Sequence, residues 1–538
     1  MRFYNWDATS KLSVILTSGS YKRRRWRLLN LVFNKEEKMS KLVKLFVALT
    51  FLVGVSCSNG ALLNDNQTIV DEDIAVVDQS ASSSGTDIPY NGSNGDVMLQ
   101  AFHWNSKNGK NSKTWYDYLY SVRTKLRTYY NVIYLPPPSQ SADGYGYMPS
   151  DWANLSSNYG TQASLKSLIT ALHASPKKYV LADVVLNHRS AKSQCPHGVW
   201  CGYGYAANAM TSSDFINGSY DQVSDSGAKS CGTCMTSGYS EGSWSYGGRT
   251  YYNEDFTGSC DVNHWNSSTR TKIKTWLTWL KSSTNAGFDG WRYDMIGGYD
   301  PLYLGEYNTS SSPYLSVGEK PSGDRQMLSD MVNRSGNKTM VFDFAMRDSL
   351  YSALASVNNM YGNYLGSVGA NTNYGLIGWW SEAAVTFIHN HDIDLNHHSV
   401  GRNTMLWGVS GSAKGVSTQA AYAFILTHPG IPCVFIQDWE DRGTYLTKAI
   451  NNLIKIRKAN GVQKGSRVYV AKAENGIYAA YIGTEGAEQV AIKIGKTGWN
   501  NYESWTPNSA LGLTKAYTQY ETGGHAYCVY YKNAVTIE

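Results

Sequence analysis

From residue 96 onward, short apolar runs alternate with segments of helical periodicity. The runs are Val97–Phe102, Val132–Leu135, Tyr179–Val185, Phe288–Tyr293, Tyr314–Val317, Met340–Phe344, Ala384–Ile388 and Cys433–Ile436. Between them, Trp115–Tyr129, Gln162–Ala174, Thr269–Ser282, Asp348–Val357 and Ser417–Leu426 repeat their apolar positions every three to four residues. Eight such runs with helices between them predict an α/β chain closed into a (β/α)8 TIM barrel. The barrel is expected over 93–459.

Two stretches break the rhythm. Residues 189–262, between the third and fourth runs, are too long for a connection and predict an inserted, loop-rich subdomain. After a helix at Ala449–Lys458 the helical stretches stop, and Val468–Ala471, Ile477–Ile482, Gln489–Ile494 and Ala526–Tyr531 predict an antiparallel β domain over 460–538.

The N-terminal region has a different character. From Met39, Lys41 and Lys44 precede an apolar stretch, Leu45–Val55, then small residues and Cys57. That pattern predicts a secretory signal over 39–57, with Cys57 as a candidate lipid-attachment site and Met39 as the true start. Residues 1–38 are then an upstream extension, and 58–92, rich in Ser, Asn, Asp and Gly, a flexible tether. The protein is expected outside the cytoplasm, secreted or held at the cell envelope, touching a membrane only through such an anchor. Its net charge of +6 arises within residues 1–38, and the remainder carries 39 charges of each sign. A balanced body does not favour nucleic acid as a partner. A monomer is expected.

Five of the eight cysteines, Cys195, Cys201, Cys231, Cys234 and Cys260, fall in the insert. In an exported chain they predict disulfides stapling a small subdomain. Zinc held by Cys231 and Cys234 with Cys195 and Cys201 is the other reading. Cys433, inside an apolar run, is expected as a buried free thiol. The 40 tyrosines and 17 tryptophans suit surfaces that stack on flat ligands.

Barrel chemistry sits at the C-terminal strand ends. Strand three ends at Asn187 and His188, strand four at Arg292 and Asp294, strand five at Glu319, strand seven at His391 and Asp392. Three carboxylates on one rim repel one another, and paired carboxylates are what glycoside hydrolysis uses, one protonated and one ionised. Arg292, two residues from Asp294, is expected to keep that aspartate ionised. Glu319, beside Val317 and other carboxylates, is expected to hold its proton more tightly, as an acid should.

DVVLNH (183–188), GFDGWRYD (287–294), LSVGEK (315–320) and FIHNHD (387–392) resemble the four signature segments of the alpha-amylase family of glycoside hydrolases. VIYLPPPSQSADGYGYMP (132–149), LKSLITALH (165–173), GWW (378–380), AYAFILTHPGIPCVF (421–435), IRKANG (456–461) and VAIKIG (490–495) resemble its plant-type branch, so the likeness spans about 95–500. The resemblance implies an endo-acting hydrolase of α-1,4-glucans, with starch, amylopectin, glycogen and maltooligosaccharides as substrates. It makes Asp294 the nucleophile, Glu319 the acid and then base, and Asp392 the third carboxylate. His188, His391, Arg292 and Tyr147 would surround the reacting sugar, and Trp379 and Trp380 would form an exposed platform for glucan chains. A Ca2+ ion is implied where the insert meets the barrel, held by Asn187, Asp261 and the Gly298 carbonyl. Tyr251 stands where another acidic ligand would align, and Asp255 is its candidate substitute. Lys320 departs from the apolar residue often found after the glutamate. A maltooligosaccharide-forming amylase or transglycosylase of the same fold is the alternative. A silent starch-binding protein would have no need of three repelling carboxylates.

Overall fold

The computed structural model describes residues 88–190, 215–216, 242–254, 256, 259–354, 375–393, 416–474, 476–496, 498, 500–520 and 525–538. The signal segment, Cys57, the tether up to 87, Asp255 and Cys195, Cys201, Cys231 and Cys234 lie outside the described residues.

Eight parallel strands close a barrel: β1 (Met98–Gln100), β2 (Val132–Leu135), β3 (Tyr179–Val184), β4 (Gly290–Tyr293), β5 (Ser316–Gly318), β6 (Met340–Phe342), β7 (Ala384–Phe387) and β8 (Ile431–Phe435). Each pairs with its sequence neighbours, and β1 closes the ring on β8 with Met98 opposite Cys433. The predicted TIM barrel is therefore the observed fold. The runs lack alternation because nearly all of their residues are buried on both faces of the sheet.

The helices that follow are α1 (Trp115–Tyr129), α2 (Gln162–Leu172), α3 (Ser267–Lys281), α4 (Leu302–Ser311), α5 (Arg325–Arg334), α6 (Phe344–Leu354), α7 (Val416–Thr427) and α8 (Thr444–Ala459). Caps set their starts: the Thr114, Thr161 and Asp324 side chains accept first-turn N–H groups of α1, α2 and α5. One start differs from expectation. The run expected to reach Phe344 stops at Phe342, because the Asp343 carboxylate accepts the Met346 N–H and opens α6 there. The same carboxylate accepts the Leu376 and Ile377 N–H groups, which satisfies a fully buried charge.

The C-terminal sheet has five antiparallel strands, β9 (Arg467–Glu474), β10 (Ile477–Thr484), β11 (Ala487–Lys496), β12 (Lys515–Tyr520) and β13 (His525–Tyr531), in the order β9-β10-β11-β13-β12. β12 was not anticipated, because this polar edge strand carries little apolar signal. The sheet packs on α7, where His428 Nε2 lies 2.7 Å from the Tyr478 hydroxyl.

The tether was expected to run to residue 92, but its last residues are packed. Ile88 is buried, the Tyr90 carbonyl accepts the Ser316 N–H at 2.9 Å, and Asn91 bridges Leu315 beside β5. Cys433 and Cys528 are free and buried, the first as expected. Among the described residues no helix is long and apolar enough to cross a membrane.

Candidate active site

Side-chain alternation along β4 decides what faces the barrel axis. Trp291 and Tyr293 point outward and are anchored on α4, by Trp291 Nε1 to Ser311 Oγ (2.9 Å) and the Tyr293 hydroxyl to Asn308 Oδ1 (2.9 Å). Arg292 and Asp294 therefore face inward. Register puts Arg292 opposite Asp183 on β3 and Val317 on β5. Glu319 follows β5 and is tied to β4 by its backbone: its N–H donates to the Tyr293 carbonyl (2.9 Å) and its carbonyl accepts the Ile296 N–H (3.0 Å).

One guanidinium holds three carboxylates. Arg292 Nη1 donates to Asp183 Oδ1 (2.7 Å) and Asp294 Oδ1 (2.8 Å), and Nη2 pairs with Glu319 Oε2 at 2.8 Å. All four groups are buried. The arginine was expected to serve Asp294; it bridges Asp294 and Glu319 and spends a further bond on Asp183. That aspartate also accepts the hydroxyls of Tyr134 (2.7 Å) and Tyr147 (2.8 Å).

Burial pushes the Asp294 carboxyl well up from the ordinary range; Arg292 pulls it down, while Glu319 and Asp183 push it further up. Arg292 acts in the expected direction, favouring the ionised Asp294, but against a net upward push. A single cation is shared among three buried carboxylates, so its pull on any one of them is divided.

Tyr147 links this cluster to strand seven. Its ring stacks on His391 at 5.2 Å and 4°. Gln100 Nε2 lies 2.8 Å from His391 Nδ1; the amide N–H donates, leaving His391 Nε2 towards Asp392 Oδ2 at 3.4 Å. Asp392 is thus on the same rim, joined to the carboxylate cluster through His391 and Tyr147 rather than through Arg292. His188 Nε2 lies 2.7 Å from the Tyr147 carbonyl and must donate to it. Burial pushes this imidazole down to about 4, and its ring stacks on Phe256. Trp104 adds an aromatic wall, 5.1 Å from His391 and 5.6 Å from Tyr147 between ring centres.

Asp183, Tyr134, Gln100, Trp104 and Phe256 were not assigned to the site by sequence. For Asp183 a signal existed: a lone aspartate within YVLADVVL must find a partner. The tryptophan platform is corrected. Trp380 is buried in the core, and Trp379 is half-buried with the Arg325 guanidinium 3.4 Å from its ring centre. The turn at 376–378 folds Trp380 inward, so adjacent residues do not share a face.

Asn187, Asp261 and Gly298 do converge. Asn187 Nδ2 lies 3.4 Å from Asp261 Oδ1, both side chains are buried, and a Cβ on Gly298 would meet Asn187 Oδ1 at 1.8 Å. Only glycine lets this backbone approach the amide oxygen. Buried oxygen donors of this kind fit calcium. Among the described residues no three acidic, histidine or cysteine side chains form a metal cluster, so amide and backbone oxygens would supply much of the shell. Tyr251 is no ligand here: its hydroxyl donates to Asp330 and its ring stacks on Trp244.

A groove of about 1170 Å3 between α3, α4 and the end of α5, lined by Trp279, Leu302 and Glu306, contains none of these carboxylates. Chemistry rather than volume locates the site.

Comparison with known proteins identifies the family of each part of the chain. The family description "Alpha amylase, catalytic domain" matches residues 127–438, and "Alpha-amylase C-terminal beta-sheet domain" matches 459–531. The chain is 30% identical over 458 residues to probable alpha-amylase 2 of Arabidopsis thaliana, covering 81% of this chain and 94% of that one. It is 27% identical to a glucan 1,4-alpha-maltotetraohydrolase of Stutzerimonas stutzeri, over 78% of this chain and 71% of the relative. An alpha-amylase structure from Malbranchea cinnamomea shares the fold with a TM-score of 0.53 at 15% identity, covering 83% of this chain and 98% of that one.

Proposed function

Because the chain belongs to the alpha-amylase family of glycoside hydrolases, we propose that it cleaves internal α-1,4-glucosidic bonds of starch and related glucans with retention of configuration. That it is an amylolytic glycoside hydrolase follows from the family; endo action, retention and the residue roles are the proposal. The observation that carries it is the Arg292 guanidinium bound at once to Asp294 and Glu319. Two carboxyls on one guanidinium are close neighbours, which favours the spacing of about 5–5.5 Å used by retaining enzymes.

In the first step an Asp294 oxygen bonds to the anomeric carbon. The bond from that carbon to the leaving oxygen breaks, and the Glu319 proton passes to that oxygen. In the second, water gives a proton to Glu319, its oxygen bonds to the anomeric carbon, and Asp294 departs as carboxylate. Arg292 holds both groups in register, and Asp183, itself held by the two tyrosine hydroxyls, holds Arg292. Asp392 and His391 would bind hydroxyls of the reacting sugar, Tyr147 would stack on it, and His188 would donate no charge because it stays neutral above about pH 4. Time-resolved product analysis on soluble starch with anomer detection tests this reading. Mixed long products of α-configuration are expected. β-Anomers would overturn retention, and a single short product would select the maltooligosaccharide-forming alternative, which the maltotetraohydrolase likeness supports.

Members of this family generally bind calcium. Asn187, Asp261 and the Gly298 carbonyl would hold it, and its charge would tie the insert to the turn after Asp294. Chelation is expected to lower the melting temperature by several degrees, since a ligand at 100 to 1,000 times its Kd stabilises by about 3–4 kcal/mol. An unchanged melting temperature would remove this site. Export is part of the same reading, supported by the charged and apolar run from Met39 to Cys57.

A further inference from the structure

Lys320 directly follows Glu319, and its side chain is buried. Its ammonium pairs with Glu254, which arrives from the insert and keeps 43% of its side chain exposed. The pair rests on Gly297, in the turn after Asp294. A Cβ at Gly297 would lie 2.3 Å from Glu254 Oε2 and 2.9 Å from Lys320 Nζ. The backbone repeats the connection: the Glu254 N–H donates to the Gly297 carbonyl (2.9 Å), and the Ile296 N–H to the Glu319 carbonyl (3.0 Å). The insert, the turn after the nucleophile and the strand end bearing the acid therefore meet at one ion pair.

The same part of the insert grips the next segment twice more. Its hairpin, Ser243–Tyr246 with Arg249–Tyr252, reaches α5 through Arg249 Nη2 to Asp324 Oδ2 (2.6 Å) and the Tyr251 hydroxyl to Asp330. These outer contacts hold the hairpin; the Lys320–Glu254 contact is the one beside the chemistry.

We propose that the Lys320–Glu254 pair is a positioning clasp through which the insert sets the Glu319 carboxyl against the leaving oxygen. It rests on Glu319 being the acid and base. A solvent-exposed pair would contribute little. Here the ammonium is dehydrated, and without Glu254 it must turn towards water and carry the adjacent backbone with it. General acid catalysis needs the carboxyl within hydrogen-bond reach of the oxygen, about 2.6–3.2 Å. A small shift at residue 320 therefore reaches Glu319 before it reaches Asp294, which leaves β4 on the other side of Gly297.

The test compares Lys320→Met, Glu254→Gln and the conservative Lys320→Arg on two substrates. Soluble starch has a leaving oxygen that needs protonation; a chloronitrophenyl maltotrioside does not. Both disruptive variants are expected to lose about tenfold or more in kcat/KM on starch, while the aryl substrate changes less than about threefold. Lys320→Arg should recover most of the starch activity. Equal losses on both substrates would mark a merely structural contact and overturn the clasp, as would unchanged starch activity in both disruptive variants. Glu254 is half-exposed, so Glu254→Gln keeps the test valid even if Lys320→Met folds poorly. Glu319→Gln is measured alongside: if it fails to show the same substrate split, the acid assignment fails, whatever the clasp variants do.

Discussion

Glu319→Gln is expected to lower starch hydrolysis by about a thousand- to ten-thousandfold while glucan binding stays close to wild type. The substitution preserves shape and still offers an oxygen to Arg292 Nη2, which lies 2.8 Å from the native carboxylate. The cluster of Arg292 with Asp183 and Asp294 therefore keeps its contacts, and the backbone ties of residue 319 to Tyr293 and Ile296 are untouched. What disappears is the proton that neutralises the leaving oxygen. Steady-state kinetics on soluble starch and retention on insoluble starch read the two effects separately. Near-wild-type turnover would remove the proposed mechanism. Loss of binding along with turnover would show that Glu319 positions the sugar rather than protonating the bond. The same pair of measurements separates an enzyme from a silent binder, because a binder would lose nothing.

How much of this was legible in the sequence depends on whether the determining contact was local. β2 was read to the residue, and the other barrel strands to within a few residues, because a strand covered on both faces leaves an unbroken apolar run. The edge strand β12 was not, since Lys515, Ala516 and Thr518 face solvent. Asp343 was missed as a helix start, although its bond from the Met346 N–H is local, because the run from Met340 to Phe344 is apolar on both sides of it. At the site, Arg292 and Asp294 could be placed on one face by their spacing alone. That Arg292 meets Asp183 required the register between β3 and β4, which no local pattern contains. The tryptophan pair shows the converse error: adjacency in sequence said nothing about burial, and one ring went into the core. The Lys320–Glu254 contact joins residues 66 apart, so Lys320 looked only like a departure from an apolar position.

The cluster as a whole also shows why the chain tolerates so much buried charge. Each member is fixed by at least one bond from another element: Asp183 by two tyrosines, Arg292 by three carboxylates, Glu319 by the backbone of β4. Such preorganisation keeps the reacting groups aligned without reorganisation during the reaction. The energetic burden falls on Asp294, whose ionised form is the one the fold disfavours.

Asp294→Asn should consequently do two opposite things. Activity on starch is expected to fall by about ten-thousandfold or more, because the amide cannot form the covalent intermediate. Stability at neutral pH should rise. The sign follows from the direction of the shift: a carboxyl raised above its unfolded value of about 3.9 supports the fold below that value and loses that contribution as pH rises through its folded value. As pH rises through its folded value, the wild type bears a growing burden from an ionised, dehydrated group facing Glu319 and Asp183, and the amide bears none. A gain of about 1 °C in melting temperature is expected for each kcal/mol relieved in a chain of this length. The difference should shrink as pH falls towards the acid range, where the native carboxyl is protonated as well. Thermal denaturation of both proteins across pH 4–8 measures this directly. A variant less stable than wild type at pH 7 would mean that attraction to Arg292 outweighs dehydration and repulsion. Substantial residual hydrolysis would remove Asp294 as the nucleophile. Destabilisation of the resting enzyme by the very group that attacks the sugar is the signature of a site built for reaction rather than for rigidity.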